Sequence, residues 1–184
     1  MQQQILISGV GGQGVLFVTR LLAEAAIARG LPVFTSETHG MAQRGGTVIS
    51  HFKVGEFYSP LVRAQHADGL LVLKSDNLAQ HRVFLRPGGW AVVNARAGEP
   101  FELKGTLITV DADDLAQKIG NVKSVNLVTL GFALAVAEKM KTDPVDLFCT
   151  LADIKQVVQS SFGNKGKQVS AYLKAIRTGF EAMK

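Results

Sequence analysis

The stretch Gly9-Val10-Gly11-Gly12-Gln13-Gly14 decides the fold, because it joins an apolar run to a segment with helical periodicity. The run Ile5-Leu6-Ile7 lies just before it and is typical of a buried strand. Glycines at positions 9, 11 and 14 have the G-x-G-x-x-G spacing of a dinucleotide-binding loop between a strand and a helix. Such a loop offers backbone N–H groups and the positive end of the helix dipole to an anion.

Strand and helix patterns alternate along the chain. Strands are predicted at residues 4–8, 32–35, 47–54, 69–73, 90–93 and 106–110. Helices are predicted at residues 14–29, 77–84 and 126–140. A further helix is expected to begin after Asp111 or Asp113 and to end at about Ile119. The last two are expected from Pro144 to the glycines at 163–166 and from there to the C-terminus. Residues 57–59 are expected to return antiparallel to 47–54, which suggests a mixed sheet. The alternation predicts an α/β fold of the Rossmann-like, three-layer α/β/α type with a largely parallel, mixed sheet. We expect one domain over residues 1–184, with C-terminal helices from about residue 126.

Composition narrows the class of protein. The net charge of +5 comes from 20 basic and 15 acidic residues that form no basic run, which favours a solvated surface over nucleic-acid binding. The longest apolar run, residues 127–137, is shorter than the roughly 20 residues that a membrane span needs. Without a signal-peptide pattern at the N-terminus, we expect a cytoplasmic protein with no membrane partner. The single cysteine, Cys149, excludes an internal disulfide and a four-thiolate cluster built from this chain, and its apolar surroundings predict a buried side chain.

A second glycine-rich segment, residues 37–46, follows the second predicted strand. Arg44 precedes Gly45 and Gly46, so its guanidinium and the backbone N–H groups after it could bind one anion. The same residues are equally consistent with a purely structural role, in which an ion pair between Arg44 and Glu37 stabilises the turn. His39 has no evident orienting partner for a role as a base, and the spacing of the four histidines does not favour a zinc site.

The first loop supports two interpretations. A nicotinamide-binding fold needs an acid near the end of the second strand, and Glu37 lies 23 residues after Gly14. Gly11 and Gly12 could instead simply allow tight packing of strand on helix, and we expect Gly12 to adopt a positive φ or to permit a close backbone approach. The loop lacks the Lys-Ser/Thr of a Walker A site. No catalytic triad, metal set or reactive thiol accompanies these loops, which favours a subunit over a complete enzyme.

The two glycine motifs together resemble the gamma component of 2-oxoacid:ferredoxin oxidoreductases, and most closely the small (beta) subunit of indolepyruvate:ferredoxin oxidoreductase. Three later stretches agree with this family: Ser59-Pro60-Leu61, Ala67-Asp68 before a strand, and Asn126 followed by Leu130-Gly131. The resemblance covers about residues 4–140. It implies a subunit of an enzyme that oxidatively decarboxylates a 2-oxo acid, such as indolepyruvate or pyruvate, to an acyl-coenzyme A.

The same resemblance implies where the cofactors lie. Thiamine diphosphate and the iron–sulfur clusters would be held by partner subunits, which pass electrons to ferredoxin, so ferredoxin is an indirect partner. This chain would hold no cofactor alone and would contact coenzyme A at an interface. The isolated chain is expected to be inactive, and a homodimer of it is compatible with this interpretation.

The resemblance also carries two sets of site residues onto this chain. The first set would bind cofactor near the subunit interface and consists of Gly9, Gly11, Gly12, Gln13 and Gly14. The second set would form an interface or ligand loop and consists of Glu37, His39, Met41, Arg44, Gly45 and Gly46. Neither set is expected to be catalytic or to bind metal. Two alternatives remain open: a stand-alone NAD(P)-binding oxidoreductase and a non-enzymatic binding scaffold.

Overall fold

The computed structural model describes residues 1–39, 46–140, 145–163 and 166–183. Its strands are β1 (Gln3–Val10), β2 (Val33–His39), β3 (Thr47–Val54), β4 (Ala67–Val72), β5 (Leu85–Asn94) and β6 (Thr106–Val110). Its helices are α1 (Val15–Ala28), α2 (Asn77–His81), α3 (Ala112–Lys118), α4 (Val125–Lys139), α5 (Leu151–Phe162) and α6 (Gly166–Ala182). Single 3-10 turns, Arg82–Phe84 and Val122–Ser124, follow α2 and precede α4. In the described part of the chain, no helix has both the length and the apolar character needed to cross a membrane.

All six strands form one sheet in the order β2-β3-β1-β4-β5-β6. Strands β1, β4, β5 and β6 run parallel, whereas β3 pairs antiparallel with both β1 and β2. The predicted α/β fold with a mixed, largely parallel sheet is therefore confirmed. The predicted antiparallel return at residues 57–59 is wrong, because those residues form no strand. Both edges of β3 are already occupied by neighbouring strands, so no edge is left for a hairpin partner.

The two faces of the sheet are covered unequally. Side chains alternate along β1, so Ile5 and Ile7 point to one face and Leu6 to the other. The first face, here called the helix face, packs against α1, α3, α4, α5 and α6. The second, here called the thin face, is covered by the short helix α2, the 3-10 turn after it and connecting segments. The outer layer on the thin face is therefore mostly loop.

Helices α4 and α6 cross in direct backbone contact on the helix face. A Cβ atom built on Gly131 would overlap the carbonyl oxygen of Ile176, and one on Gly179 would overlap that of Val128. Every residue of α4 from position 125 to 136 is buried. The two glycines thus allow α4 to lie between the sheet and α6 with no side chain separating the two helices.

The first residues of α3 and α5 show which of the predicted capping residues begin these helices. Of the two predicted caps of α3, Asp111 is the one used, and its side chain accepts a hydrogen bond from the Asp114 N–H at 2.9 Å. The prediction that the next helix follows Pro144 is wrong over residues 145–150, which are not helical, and Pro144 itself lies outside the described residues. Helix α5 begins instead behind Thr150, which forms a capping box with Asp153. Cys149 is buried as predicted, but just before the helix.

Candidate functional site

The loop after β1 turns through two glycines in the left-handed region. Gly12 has a φ of 89° and Gly14 a φ of 79°, so the expected positive φ at Gly12 is confirmed. A Cβ atom built on Gly12 would meet no heavy atom of the described residues within 4 Å, and this residue is exposed. One built on Gly14 would overlap the side-chain amide of Asn126. Gly12 therefore presents bare backbone to open space, whereas Gly14 makes room for a neighbouring helix.

Gln13 fastens this loop to the sheet. Its Oε1 accepts a hydrogen bond from the Val10 N–H at 2.8 Å, and its Nε2 donates to the carbonyl oxygen of Leu73 at 3.3 Å. Both polar atoms of the amide are thus used within the chain. Gly9 lies in β1 beneath the loop, and its carbonyl oxygen accepts a hydrogen bond from Asn77 Nδ2 at 2.9 Å. Gln13 and Gly9 therefore support the exposed part of the loop from below.

The N-terminal ends of α1 and α4 converge beside this loop. Asn126 Nδ2, in the first turn of α4, donates to the carbonyl oxygen of Gly14, the N-cap of α1, at 3.2 Å. Because glycine has no side chain to cap the helix, the first N–H groups of α1 point toward the loop without a side-chain acceptor. The exposed apolar side chains of Leu16 and Val122 flank the two helix starts. This surface combines a helix start that no described side chain caps with apolar contact area.

The second glycine-rich segment meets the first loop. The Gly11 N–H donates to the carbonyl oxygen of Gly46 at 3.0 Å, so the residue just before β3 touches the loop after β1. The structure thus brings together the two motifs that the sequence singled out. Three of the predicted residues lie outside the described part of the chain: Met41, Arg44 and Gly45. His39 ends β2, and only its backbone is described.

Glu37 lies too far from β1 for the nicotinamide-binding arrangement. It is exposed on β2 and pairs in register with Ser50 of β3, which lies between β2 and β1. Two strand spacings amount to about 10 Å, whereas in a dinucleotide-binding fold the acid-bearing strand is the direct neighbour of the first. The strand that carries Glu37 is therefore not the direct neighbour of the strand that precedes the first glycine loop. The inserted antiparallel strand β3 removes the structural basis for a ribose-binding acid at Glu37.

A polar network ties the ends of the parallel strands together next to the loop. The Leu73 carbonyl oxygen accepts from Gln13 and also from Asn94 Nδ2, the latter at 3.1 Å. Asn94 Nδ2 further donates to Asp113 Oδ2 at 2.8 Å, and Asn94 Oδ1 accepts from the Ala112 N–H at 2.9 Å. The network joins β1, β4 and β5 to the start of α3. These hydrogen bonds rigidify the carboxyl-terminal edge of the parallel strands, which carries the glycine loop.

A buried Ser–His pair lies under the loop on the thin face. Ser8 Oγ is 2.7 Å from His81 Nδ1, and Asn77 Nδ2 donates to Ser8 Oγ at 3.1 Å. The distance resembles that of a nucleophile and its base, but Ser8 is 1% and His81 4% exposed. Burial also lowers the pKa of His81, with a smaller contribution from nearby His51. No substrate atom can reach this serine, so the pair is structural.

Sequence reasoning missed this pair because Ser8 and His81 are separated by 73 positions in the chain. The one usable signal was a serine inside an otherwise apolar strand. In the described ranges, no group of three or more His, Cys, Asp or Glu side chains could hold a metal ion. The site therefore offers backbone donors and surface shape, and its described side chains provide no arrangement for proton transfer or nucleophilic attack.

Comparison with known proteins gives two kinds of match. The family model described as pyruvate ferredoxin/flavodoxin oxidoreductase matches residues 4–182. The indolepyruvate oxidoreductase subunit IorB of Archaeoglobus fulgidus is 32% identical over 181 residues, covering 80% of this chain and 90% of that subunit.

Solved structures share the fold. The gamma subunit of a keto/oxoacid ferredoxin oxidoreductase from Geobacter sulfurreducens superposes with a TM-score of 0.74 at 24% identity, covering 97% of this chain and 96% of that one. The 2-oxoglutarate:ferredoxin oxidoreductase of Magnetococcus marinus, solved with 2-oxoglutarate, coenzyme A and succinyl-CoA bound, gives a TM-score of 0.79 at 22% identity. That match covers all of this chain and 32% of the other.

Proposed function

The chain belongs to the pyruvate ferredoxin/flavodoxin oxidoreductase family, and from this premise we propose that it is a non-catalytic subunit of a 2-oxoacid:ferredoxin oxidoreductase. Indolepyruvate is the proposed 2-oxo acid, since an indolepyruvate oxidoreductase subunit is 32% identical to this chain over 181 aligned residues. The partner subunits would hold thiamine diphosphate and the iron–sulfur clusters and would pass electrons to ferredoxin. We propose the cytoplasm as the location and one domain as the organisation of residues 1–184.

The open backbone at Gly12 is the observation that supports the site of this proposal. Its positive φ, the lack of any described atom within 4 Å of a built Cβ atom and the helix start behind it suit a negatively charged group such as a phosphate of coenzyme A. Coenzyme A, when bound, supplies the thiol that accepts the acyl group. This chain would contribute backbone contacts at Gly12 and Gly14, since the N–H groups of Gly11 and Gln13 already donate to the carbonyl oxygens of Gly46 and Val10, and the partner subunit would complete the site. The residues Glu37, His39, Met41, Arg44, Gly45 and Gly46 are proposed to contact the partner.

The chain's only thiol does not suit a cluster. Cys149 is buried, and burial raises its pKa to about 12, so it is a thiol and not a thiolate at neutral pH. A four-thiolate cluster needs four such ligands, and this sequence has one cysteine. We therefore expect the isolated chain to be colourless and to show no oxidation of 2-oxo acids until its partner is added.

A matched pair of glycine variants tests the proposed site. Gly12 and Gly98 are both exposed, both have positive φ, and both have empty space around a built Cβ atom. Valine at either position should destabilise the chain by about 1–3 kcal/mol because of backbone strain. Only Gly12→Val should raise the KM for coenzyme A in the complex reconstituted with its thiamine-bearing subunit. Equal kinetics for the two variants would contradict the site.

Calorimetry of the isolated chain tests the alternative oxidoreductase. We expect NAD and NADP to show no binding, because Glu37 is separated from β1 by a whole strand. Micromolar binding of NAD that Gly12→Val abolishes would overturn the proposed function in favour of a stand-alone dehydrogenase. Failure of the purified chain to associate with any thiamine-bearing subunit from its own host would overturn the subunit role itself.

A further inference from the structure

Residues 57–66, here called the strap, fold back over β3 on the thin face. The Phe57 ring centroid lies 5.0 Å from Lys53 Nζ, and the Val62 N–H donates to His51 Nδ1 at 3.2 Å. Lys53 and His51 are two residues apart on the same face of β3. The strap therefore runs antiparallel along the strand and covers both side chains without pairing with it.

The outer side of the strap continues into a larger apolar surface. Tyr58 is fully exposed, and Leu61 is about half exposed. Phe34, on β2, is directly opposite Lys53 in register and so flanks the strap on one side. Val83 flanks it on the other, because its neighbour Phe84 stacks edge-on against His51 at 5.8 Å.

Exposed apolar side chains are concentrated around the strap. Of the eight large hydrophobic side chains that are exposed in the described ranges, four lie here. We define the strap face as these four and the two cations among them: Phe34, Tyr58, Leu61, Val83, Lys53 and Arg63. Contiguous apolar surface of this kind, with a tyrosine and an arginine, is typical of sites where proteins bind other proteins.

The two cations of the strap face lack carboxylate partners. Lys53 is 6% exposed, and neither Lys53 nor Arg63 forms an ion pair within the described residues. Burial lowers the pKa of Lys53, and the charge of nearby Arg63 lowers it further. A poorly solvated cation beside a second one is unfavourable unless a negative group approaches. The strap face is therefore electrostatically suited to a carboxylate that the described residues of this chain do not supply.

We propose that the strap face docks an acidic face of the thiamine-bearing partner subunit, with a partner carboxylate against the exposed Arg63, beside the covered Lys53, and apolar contact over Tyr58 and Leu61. This rests on the proposed subunit role. A second copy of the chain is the poorer occupant, since it would bring two cationic faces of a protein with net charge +5 together.

The strap face is distinct from the glycine loop. Lys53 pairs with Gln4 near the start of β1, whereas the loop follows Val10 at its end. Six residues of strand separate these points by roughly 20 Å. The partner would therefore contact two separate surfaces, one that forms the ligand site and one that only anchors the subunit.

Two exposed substitutions test this docking surface. Tyr58→Ala and Arg63→Glu alter side chains on the outside, so the chain should fold with its melting temperature unchanged within a few degrees. Each should weaken the Kd for the purified partner subunit tenfold or more. Arg63→Glu should also flatten the salt dependence of the Kd between 50 and 300 mM NaCl, because added salt shortens the Debye length, which is about 10 Å at 0.1 M, and so screens an attraction that this variant lacks. The matched controls are Ile27→Ala and Lys167→Glu, which remove an exposed apolar group and reverse an exposed charge elsewhere.

The outcomes separate the docking surface from the subunit role. Controls within twofold of the unaltered chain, together with weakened strap variants, support the proposal. If the partner binds the unaltered chain and both strap variants equally, the strap proposal is overturned while the subunit role stands. If the isolated chain is a dimer that Tyr58→Ala dissociates, a second copy is the occupant and the proposal is overturned. If no thiamine-bearing partner binds the unaltered chain, both fail.

Discussion

The helix face and the thin face of the sheet bury different kinds of side chain. Five helices cover the helix face, and their packing includes the backbone contact between α4 and α6. The thin face has one five-residue helix and the strap, yet it holds all three buried ionisable histidine and lysine side chains of the described residues: His51, Lys53 and His81. We infer that stability comes mainly from the helix face, whereas the thin face is shaped for a partner.

The largest expected effect comes from filling the helix crossing. Gly131→Ala should destabilise the chain by about 3 kcal/mol, because the added methyl group would overlap the Ile176 carbonyl oxygen and push α6 away from α4. Urea unfolding at neutral pH measures the change. Gly166→Ala is the matched control, since it is an exposed helical glycine with nothing within 4 Å of a built Cβ atom.

In the control, alanine should be neutral or stabilising by up to about 1 kcal/mol, because it is the better helix former. If Gly131→Ala behaves like Gly166→Ala, then the crossing tolerates separation and the helix face is not the main source of stability. Gly179→Ala, on the other helix of the same crossing, should repeat the result of Gly131→Ala.

A smaller effect is expected from the polar cluster of the thin face. Ser8→Ala leaves His81 Nδ1 and one hydrogen of Asn77 Nδ2 without their buried partner and should cost about 2 kcal/mol. Ser160→Ala, at an exposed serine of α5, should stay within about 0.5 kcal/mol of the unaltered chain. A double-mutant cycle with His81→Phe should show that removing both partners costs less than the sum of the single changes. Additive costs would mean that the pair does not interact.

Local patterns predicted most of the elements. Helix α1 was expected at residues 14–29 and occupies Val15–Ala28, and β3 and β6 have their predicted bounds. These segments carry their own periodicity, turn residues and caps. The partner of β3 could not be predicted in this way, because the choice of β1 and β2 depends on contacts between distant residues. Residues 57–59 look like a strand by composition, but they pack on the sheet as part of the strap.

In the candidate site, too, local sequence predicted some features, whereas others depend on the folded structure. The positive φ at Gly12 followed from the glycine motif, since a sharp turn between strand and helix requires it. The hydrogen bonds of Gln13 within the chain, the contact of Gly11 with Gly46 and the burial of Ser8 on His81 depend on the folded structure. The strap face was also missed, because its residues come from four separate segments of the sequence: β2, β3, the strap and the 3-10 turn after α2.

Counted for one histidine and one pH unit, the smallest expected effect is a pH dependence that belongs to the thin face. Burial lowers the pKa of both His51 and His81 below 6.5, with smaller contributions from Lys53 and from His51 respectively. The unfolded chain therefore binds protons that the folded chain excludes. The stabilising contribution of these two neutral histidines should be complete above about pH 6.5. Below that pH the free energy of unfolding should fall, by at most about 1.4 kcal/mol per pH unit for each histidine. Urea unfolding between pH 8 and pH 5 measures this slope. His81→Asn keeps a hydrogen-bond acceptor near Ser8 and should reduce the slope. An unaltered slope in His81→Asn would show that this buried histidine does not couple folding to pH.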